Sequence, residues 1–312
     1  MKKNFKIIKN DECKHLLTRK DVVVNILKYC VPEYKELSKK EILMCLDSDE
    51  NDSKHIKTLN SEDNSIKGSK IVYDVLFSSR LPGSNNEIAM FVNLEAQNSS
   101  NTGYPLVSRA LYYASRLVAK QKSEIFDSKN YGSIKKVYSI WICTTVNKEQ
   151  KDTINYYTID EHNLKGEYKS NKEHYSLINV IMLNLGNNYD YDNNDKDILK
   201  MLSLLFTNTD LNPRKVSHIL KDSYDILMTN KEVAKMCTIY QGLIDEGIEI
   251  GKQEGIKLGK TEGIKLGMQE GIEMGRQSVI LELIKNGMPL EVVNKHLKLT
   301  KKEKEEYLSN LK

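Results

Sequence analysis

Asp74, Glu95 and Gln97 are the residues whose types and spacing suit a chemical task. Asp74 lies in the apolar run Ile71-Val72-Tyr73-Asp74-Val75-Leu76-Phe77, and the other two in Met90-Phe91-Val92-Asn93-Leu94-Glu95-Ala96-Gln97. Pro82-Gly83 between the runs is a turn signal, so the runs are expected to pair as a hairpin with Asp74 mid-strand. Alternate residues of a strand share a face, so Glu95 and Gln97 project together, within reach of Asp74 on the neighbouring strand. Two carboxylates and an amide at the end of a sheet make a hard-oxygen pocket of the kind Mg²⁺ (or Mn²⁺) takes. Phosphodiester hydrolysis is the chemistry such a pocket suits, because a held ion neutralises developing charge and activates water. Asp74 and Glu95 would hold the ion. Gln97 would orient water, since an amide cannot act as a base. By spacing alone, the two acids suit ordinary positions on the solvated face of an edge hairpin even more readily.

The elements that must position these residues follow from periodicity. Residues 16–46 read as two helical pieces. Val22, Val23, Ile26, Leu27 and Tyr29 form the apolar stripe of the first, Asp21 is its expected cap, and Pro32 ends it. Ser38-Lys39-Lys40-Glu41 has the form of a capping box opening a second helix through Leu46. Residues 47–69 are polar and loop-like, and Asn98 to Gly103 is a turn-rich connector. Pro105 suits the first turn of a helix over 105–122, where Leu106, Ala110, Tyr113, Leu117 and Val118 make an apolar stripe. Val137 to Val146 is too β-branched and too evenly apolar for a surface helix. It reads as a buried central strand with Trp141 in the core. Ile154–Ile159 and Leu177–Leu185 are further strands, and from about residue 195 the pattern turns helical (Ile198, Met201, Leu202, Leu205; then Val216 to Leu227).

The fold expected is therefore α/β, with a mixed central sheet flanked by helices over residues 1–190. A helical accessory region follows over 191–245, and a glycine-repeat helical tail over 246–312. The tail holds four copies of one octad, starting at Gly247, Gly255, Gly263 and Gly271, with glycine at every fourth residue through Gly275. On a helix this glycine line drifts roughly 40° per step and winds around the axis. Its eight glycines cost roughly 6–8 kcal/mol relative to alanine. A glycine seam permits close backbone approach, so residues 245–278 are a candidate for homo-oligomer contact. The period-two alternation of Ile248/Ile250 and Ile256/Leu258 admits a strand, but the Glu/Lys/Gln-rich spacers and flanking segments favour helix. Gly287-Met288-Pro289 then ends it, with a short terminal helix over 290–311.

Composition narrows the class. The chain has 312 residues, a net charge of +4 and no apolar run of membrane-spanning length. The basic amino terminus lacks the apolar segment of a secretory signal. Its five cysteines have no C-x-x-C spacing, which points to reduced thiols in a cytoplasm and away from a cysteine zinc site. The six histidines show no ligand pairing at i+3 or i+4, and there is no phosphate-binding G-x-x-x-x-G-K-[ST] loop. Arg109 and Arg116 stand two helical turns apart on nearly one face, where they suit DNA phosphates or a solvated basic edge.

Four separated segments carry a resemblance. They are Lys70 to Phe77, Phe91 to Gln97, Gly103 to Tyr113 with Arg109, and Lys136 to Ile142 with Trp141. Occurring in this order, and with the Leu16-Leu17-Thr18-Arg19-Lys20 helix start, they resemble the PD-(D/E)XK nuclease family transposases over roughly residues 15–185. The resemblance implies a restriction-endonuclease-like core and magnesium-dependent DNA cleavage linked to transposition or recombination. It implies that Asp74 and Glu95 are metal ligands. Gln97 stands where the wider superfamily has a lysine, so a cation that stabilises the phosphate has to come from elsewhere, such as Lys120 or Lys122. Glu33, Glu36 or Glu41 is a candidate to complete the metal shell, and Arg109, Arg116 and Lys120 to contact DNA. The alternative reading is a catalytically degenerate DNA-binding or self-assembling scaffold.

Overall fold

The computed structural model describes residues 11–66, 69–84, 87–97, 102–186, 189–193, 196–207 and 211–309. The basic amino terminus, Asn98–Asn101 of the expected connector and the side chains of Gly247–Ile250 lie outside the described residues. The chain divides into two compact units, Met1–Gly242 and Leu243–Lys312.

The first unit is mixed α/β. Its helices α1 (Lys20–Cys30) and α2 (Lys39–Met44) precede strands β1 (Glu62–Ile66), β2 (Ser69–Val72), β3 (Val75–Ser79) and β4 (Met90–Gln97). Helix α3 (Leu106–Lys120), strands β5 (Lys136–Cys143), β6 (Thr153–Thr158) and β7 (Ile178–Asn184), and helices α4 (Ile198–Phe206) and α5 (Pro213–Tyr224) follow. Five strands form one sheet in the order β3-β4-β5-β7-β6. The β3/β4 and β6/β7 pairs are antiparallel, while β4/β5 and β5/β7 are parallel. Central β5 is buried along all but its first residue, which is why its sequence does not alternate.

Parallel register places Phe91, Asn93 and Glu95 beside Val137, Ser139 and Trp141, all on one face. Helix α3 covers that face: Leu106, Ala110, Ala114 and Leu117 pack with Val137, Trp141, Cys143, Val180 and Met182. The apolar stripe expected on this helix is the one it buries. Ser38 and Glu41 form the capping box, with the Glu41 N–H on Ser38 Oγ and the Ser38 N–H on Glu41 Oε2.

Several boundaries differ from expectation. Residues 47–69 are not wholly a loop, because β1 pairs with β2 in a separate two-stranded sheet. Asp21 is not the cap of α1; Arg19 holds that position, and the Asp21 carboxylate takes two hydrogen bonds from Arg19 instead. Tyr29 is exposed. Helix α5 stops at Tyr224 because Asp225 turns left-handed at φ 59°. Cys13, Cys30, Cys45 and Cys143 carry thiols rather than disulfides.

Helix α6 (Asn230–Lys285) begins in the first unit and ends in the second, where α7 (Leu290–Leu297) and α8 (Lys301–Ser309) follow. The glycine octads are thus helical. The single helix expected over 290–311 is two, broken at Lys298 (φ 48°) and restarted by a capping box of Thr300 and Glu303. Ile280, Val293, Leu299 and Tyr307 form the core of this unit. Among the described residues no helix is long and apolar enough to cross a membrane.

Candidate active site

Asp74 is not mid-strand. The run from Ile71 to Phe77 is broken, and Asp74 occupies the break between β2, which pairs with β1, and β3, which pairs with β4. The ladder to β4 begins one residue later, at Val75 opposite Leu94. Side chains replace the missing ladder bonds. The Asp74 N–H donates to Glu95 Oε1 at 3.2 Å, and the Ala96 N–H donates to Asp74 Oδ2 at 3.2 Å. Each acid thus accepts one backbone N–H from the segment that carries the other.

Glu95 is 4% exposed, under α3 and beside Trp141. Burial pushes its carboxyl up to about 8, and the neighbouring Asp74 charge adds to this; the Asp74 N–H, the Asn93 amide and Arg109 oppose it. A carboxyl so placed holds its proton at neutral pH when no cation is near enough to replace it. Asn93, two residues back on the same face, is fully buried. Its amide N–H donates to Ser139 Oγ at 3.3 Å, while its Oδ1 has no hydrogen-bond partner among the described residues. A buried acceptor without a donor is uncommon, and Asn93 stands beside Glu95 on the same strand face.

Among the described residues the cation paired with Asp74 is Lys14, in helical residues 11–18, with Nζ 4.0 Å from Asp74 Oδ1. The distant lysines expected to substitute at position 97 lie elsewhere. Lys120 donates to the backbone oxygens of Asn60 and Glu62, and Lys122 forms a backbone bridge with Phe126. Arg109 stacks over Tyr113 and Trp141, its Cζ 5.0 and 5.2 Å from the ring centres, and bonds the hydroxyls of Tyr113 and Tyr104. It remains half-buried above the Glu95 face.

Arg116 does not share that placement. It is 3% exposed and paired with buried Asp63 at 3.0 Å, with Tyr112 as a further partner, so it is not a surface contact for phosphates. Its seven-residue spacing from Arg109 is kept, but β1 covers it. Glu33 is engaged on the opposite sheet face, accepting from Lys136 Nζ and Tyr138 Oη. Glu41 is occupied by its capping box, and Glu36 is exposed. None of the three is brought to Asp74. Gln97 ends β4 on the Glu95 face, partly exposed, and its carbonyl accepts from the Thr144 N–H.

A divalent ion suits this donor set in its chemistry. Mg²⁺ keeps several waters and takes one or two protein carboxylates, the groups that Asp74 and Glu95 would offer, with the unpartnered Asn93 oxygen two residues from Glu95 on the same strand. Among the described residues no cluster of three or more acids, histidines or cysteines could form a full protein cage. Sequence reasoning missed Lys14 and Asn93. Lys14 has no local signal, whereas Asn93-x-Glu95-x-Gln97 is a polar line along an otherwise apolar strand, and alternation alone marks it. Comparison with family models, curated proteins and solved structures returned no match to this chain.

Proposed function

We propose that this chain is a divalent-metal-dependent DNA endonuclease, with a restriction-endonuclease-like core, acting in transposition or recombination. The observation that carries the reading is the reciprocal fastening of Asp74 and Glu95, one acid partly exposed and the other buried, its carboxyl pushed up by burial and by the Asp74 charge. The resemblance of the four segments to PD-(D/E)XK nucleases supports it. Mg²⁺ or Mn²⁺, when bound, supplies charge neutralisation and a water of lowered pKa. Asp74 and Glu95 would hold it, and Glu95 must first release its proton. Gln97 projects from the same strand face and orients water by its amide. Lys14 is the side chain best placed to meet charge developing on a phosphate, in the role position 97 leaves open. Arg109, braced on Trp141 and Tyr113, presents a further cation on the covering helix.

Nicking of supercoiled plasmid tests this directly. Wild type is expected to cleave with Mg²⁺ or Mn²⁺, and Asp74→Ala and Glu95→Ala to lose cleavage. Equal cleavage by all three would reject the site, and no cleavage by the wild type with any divalent ion would reject the enzyme. A rival reading, a non-catalytic assembly protein, is favoured by α6. There Ile256, Leu258, Ile264, Leu266, Met268, Ile272 and Met274 are 58–71% exposed, and a methyl group at any glycine from Gly251 to Gly275 would meet nothing within 4 Å. Such a helix invites a second copy at residues 245–278. Deletion of that segment with an unchanged mass in solution would remove the rival's main support.

A further inference from the structure

We infer that the first unit carries a second site, sharing no residue with the Asp74/Glu95 pair, that takes a phosphate group. It is a pocket of about 160 Å³ between α1, the start of α2, the start of α4 and the end of α5. Four of its lining residues are lysines, Lys28, Lys35, Lys39 and Lys196, and none is acidic. That volume admits a group of several heavy atoms.

Two of the ammonium groups are held in place by the fold. Lys28 Nζ donates to the backbone oxygens of Lys35 and Leu37, which orient it without cancelling its charge. Lys39 Nζ donates to the Tyr224 carbonyl at 2.8 Å and to Asp225 Oδ2 at 2.7 Å. Lys35 and Lys196 are exposed, with long stems able to swing onto a ligand. The acids nearby do not balance the four. Asp225 answers Lys39, whose hydrogen bond holds that carboxyl below its usual range, with Lys196 adding to the effect. Asp197 caps its own helix, accepting from the Leu199 N–H at 2.9 Å, and its charge also reaches Tyr29 of the lining, so two carboxylates stand against four ammonium groups. An excess of positive charge therefore remains on one concave surface.

Phosphate fits this better than a carboxylate does. It carries up to two charges on three oxygens, enough to meet several ammonium groups at once, and lysine binds it as a point charge. The group can belong to a free phosphate compound or to a nucleic-acid strand. The inference stands on this pocket alone and does not depend on the nuclease reading.

Titration calorimetry of the full chain with pyrophosphate, at low salt and without divalent metal, is the first arm. The second is anisotropy of a labelled DNA duplex in EDTA. The probe variant is the double substitution Lys35→Glu/Lys196→Glu, at two exposed residues. The control is Lys129→Glu/Lys169→Glu, which makes the same charge change at exposed sites outside the pocket. A loss of at least about tenfold in the probe variant, with less than about twofold in the control, is expected in at least one arm. If pyrophosphate shows that loss, the source is a free phosphate compound; if the duplex alone shows it, the source is a strand. Equal loss in both variants, or no loss in either arm, overturns the inference.

Discussion

Replacing Glu95 with glutamine isolates the most perturbed group in the site. In the metal-free fold the Glu95 carboxyl is raised from 4.5 to about 8, burial being the larger cause and Asp74 the second. The folded chain therefore holds a proton that the unfolded chain releases across that interval. Stability is full below the unfolded value and falls as pH rises toward 8, by about 1.4 kcal/mol per pH unit while the proton difference persists. The upper bound is about 5 kcal/mol over the whole interval, which is roughly 10–20 °C in melting temperature for a unit of this size. Thermal melts in EDTA from pH 5 to 8.5 should show the wild type losing stability relative to Glu95→Gln, which keeps the oxygen that accepts the Asp74 N–H but cannot ionise. Adding Mn²⁺ at about 100 times its dissociation constant should restore about 2.7 kcal/mol to the wild type near pH 8 and little to the variant. Parallel slopes for the two proteins in EDTA would refute the buried, proton-bearing carboxyl. An equal Mn²⁺ response would refute Glu95 as a ligand.

Three further outcomes are expected. Gln97→Lys adds an ammonium to the Glu95 face and should raise plasmid cleavage about tenfold; a fall would show that the amide itself is needed. Trp141→Ala removes a fully buried ring that donates to Ser139 Oγ and supports Arg109, and should destabilise the first unit by about 3–5 kcal/mol in urea. Because Trp141 is the only tryptophan, that unfolding is followed by circular dichroism. Gly263→Ala/Gly267→Ala meets open space and should stabilise α6 by about 2 kcal/mol in total, read as a higher melting temperature of the tail. If the glycine seam joins two copies, the same substitution lowers the mass seen by sedimentation.

Much of the frame was legible in the residues themselves. The Ser38/Glu41 capping box is a contact across three residues, and a single sequence shows it. The apolar stripe of α3, the evenly apolar β5 and the helical octads are likewise local periodicities, and each appears as an element of the expected type. Glu95 and Gln97 share a face because strand alternation requires it. β1 escaped notice because Glu62-Asp63-Asn64-Ser65 is polar, and its pairing with β2 supplies a strand character that its composition lacks.

What tertiary structure decided is which charges meet. Asp74 leaves the ladder at the interruption between β2 and β3, where its N–H finds the Glu95 side chain of β4. Arg116 and Asp63 are buried as a pair, Glu33 is drawn to Lys136 and Tyr138 on the far face, and Lys14 reaches Asp74. Each joins residues tens of positions apart, and the result depends on how much water is removed around them. Desolvation and Coulomb energy act over space rather than along the chain. The sequence by itself determined the elements and the polar line on β4; only the packed sheet and α3 made Glu95 a buried acid with Asp74 at its side.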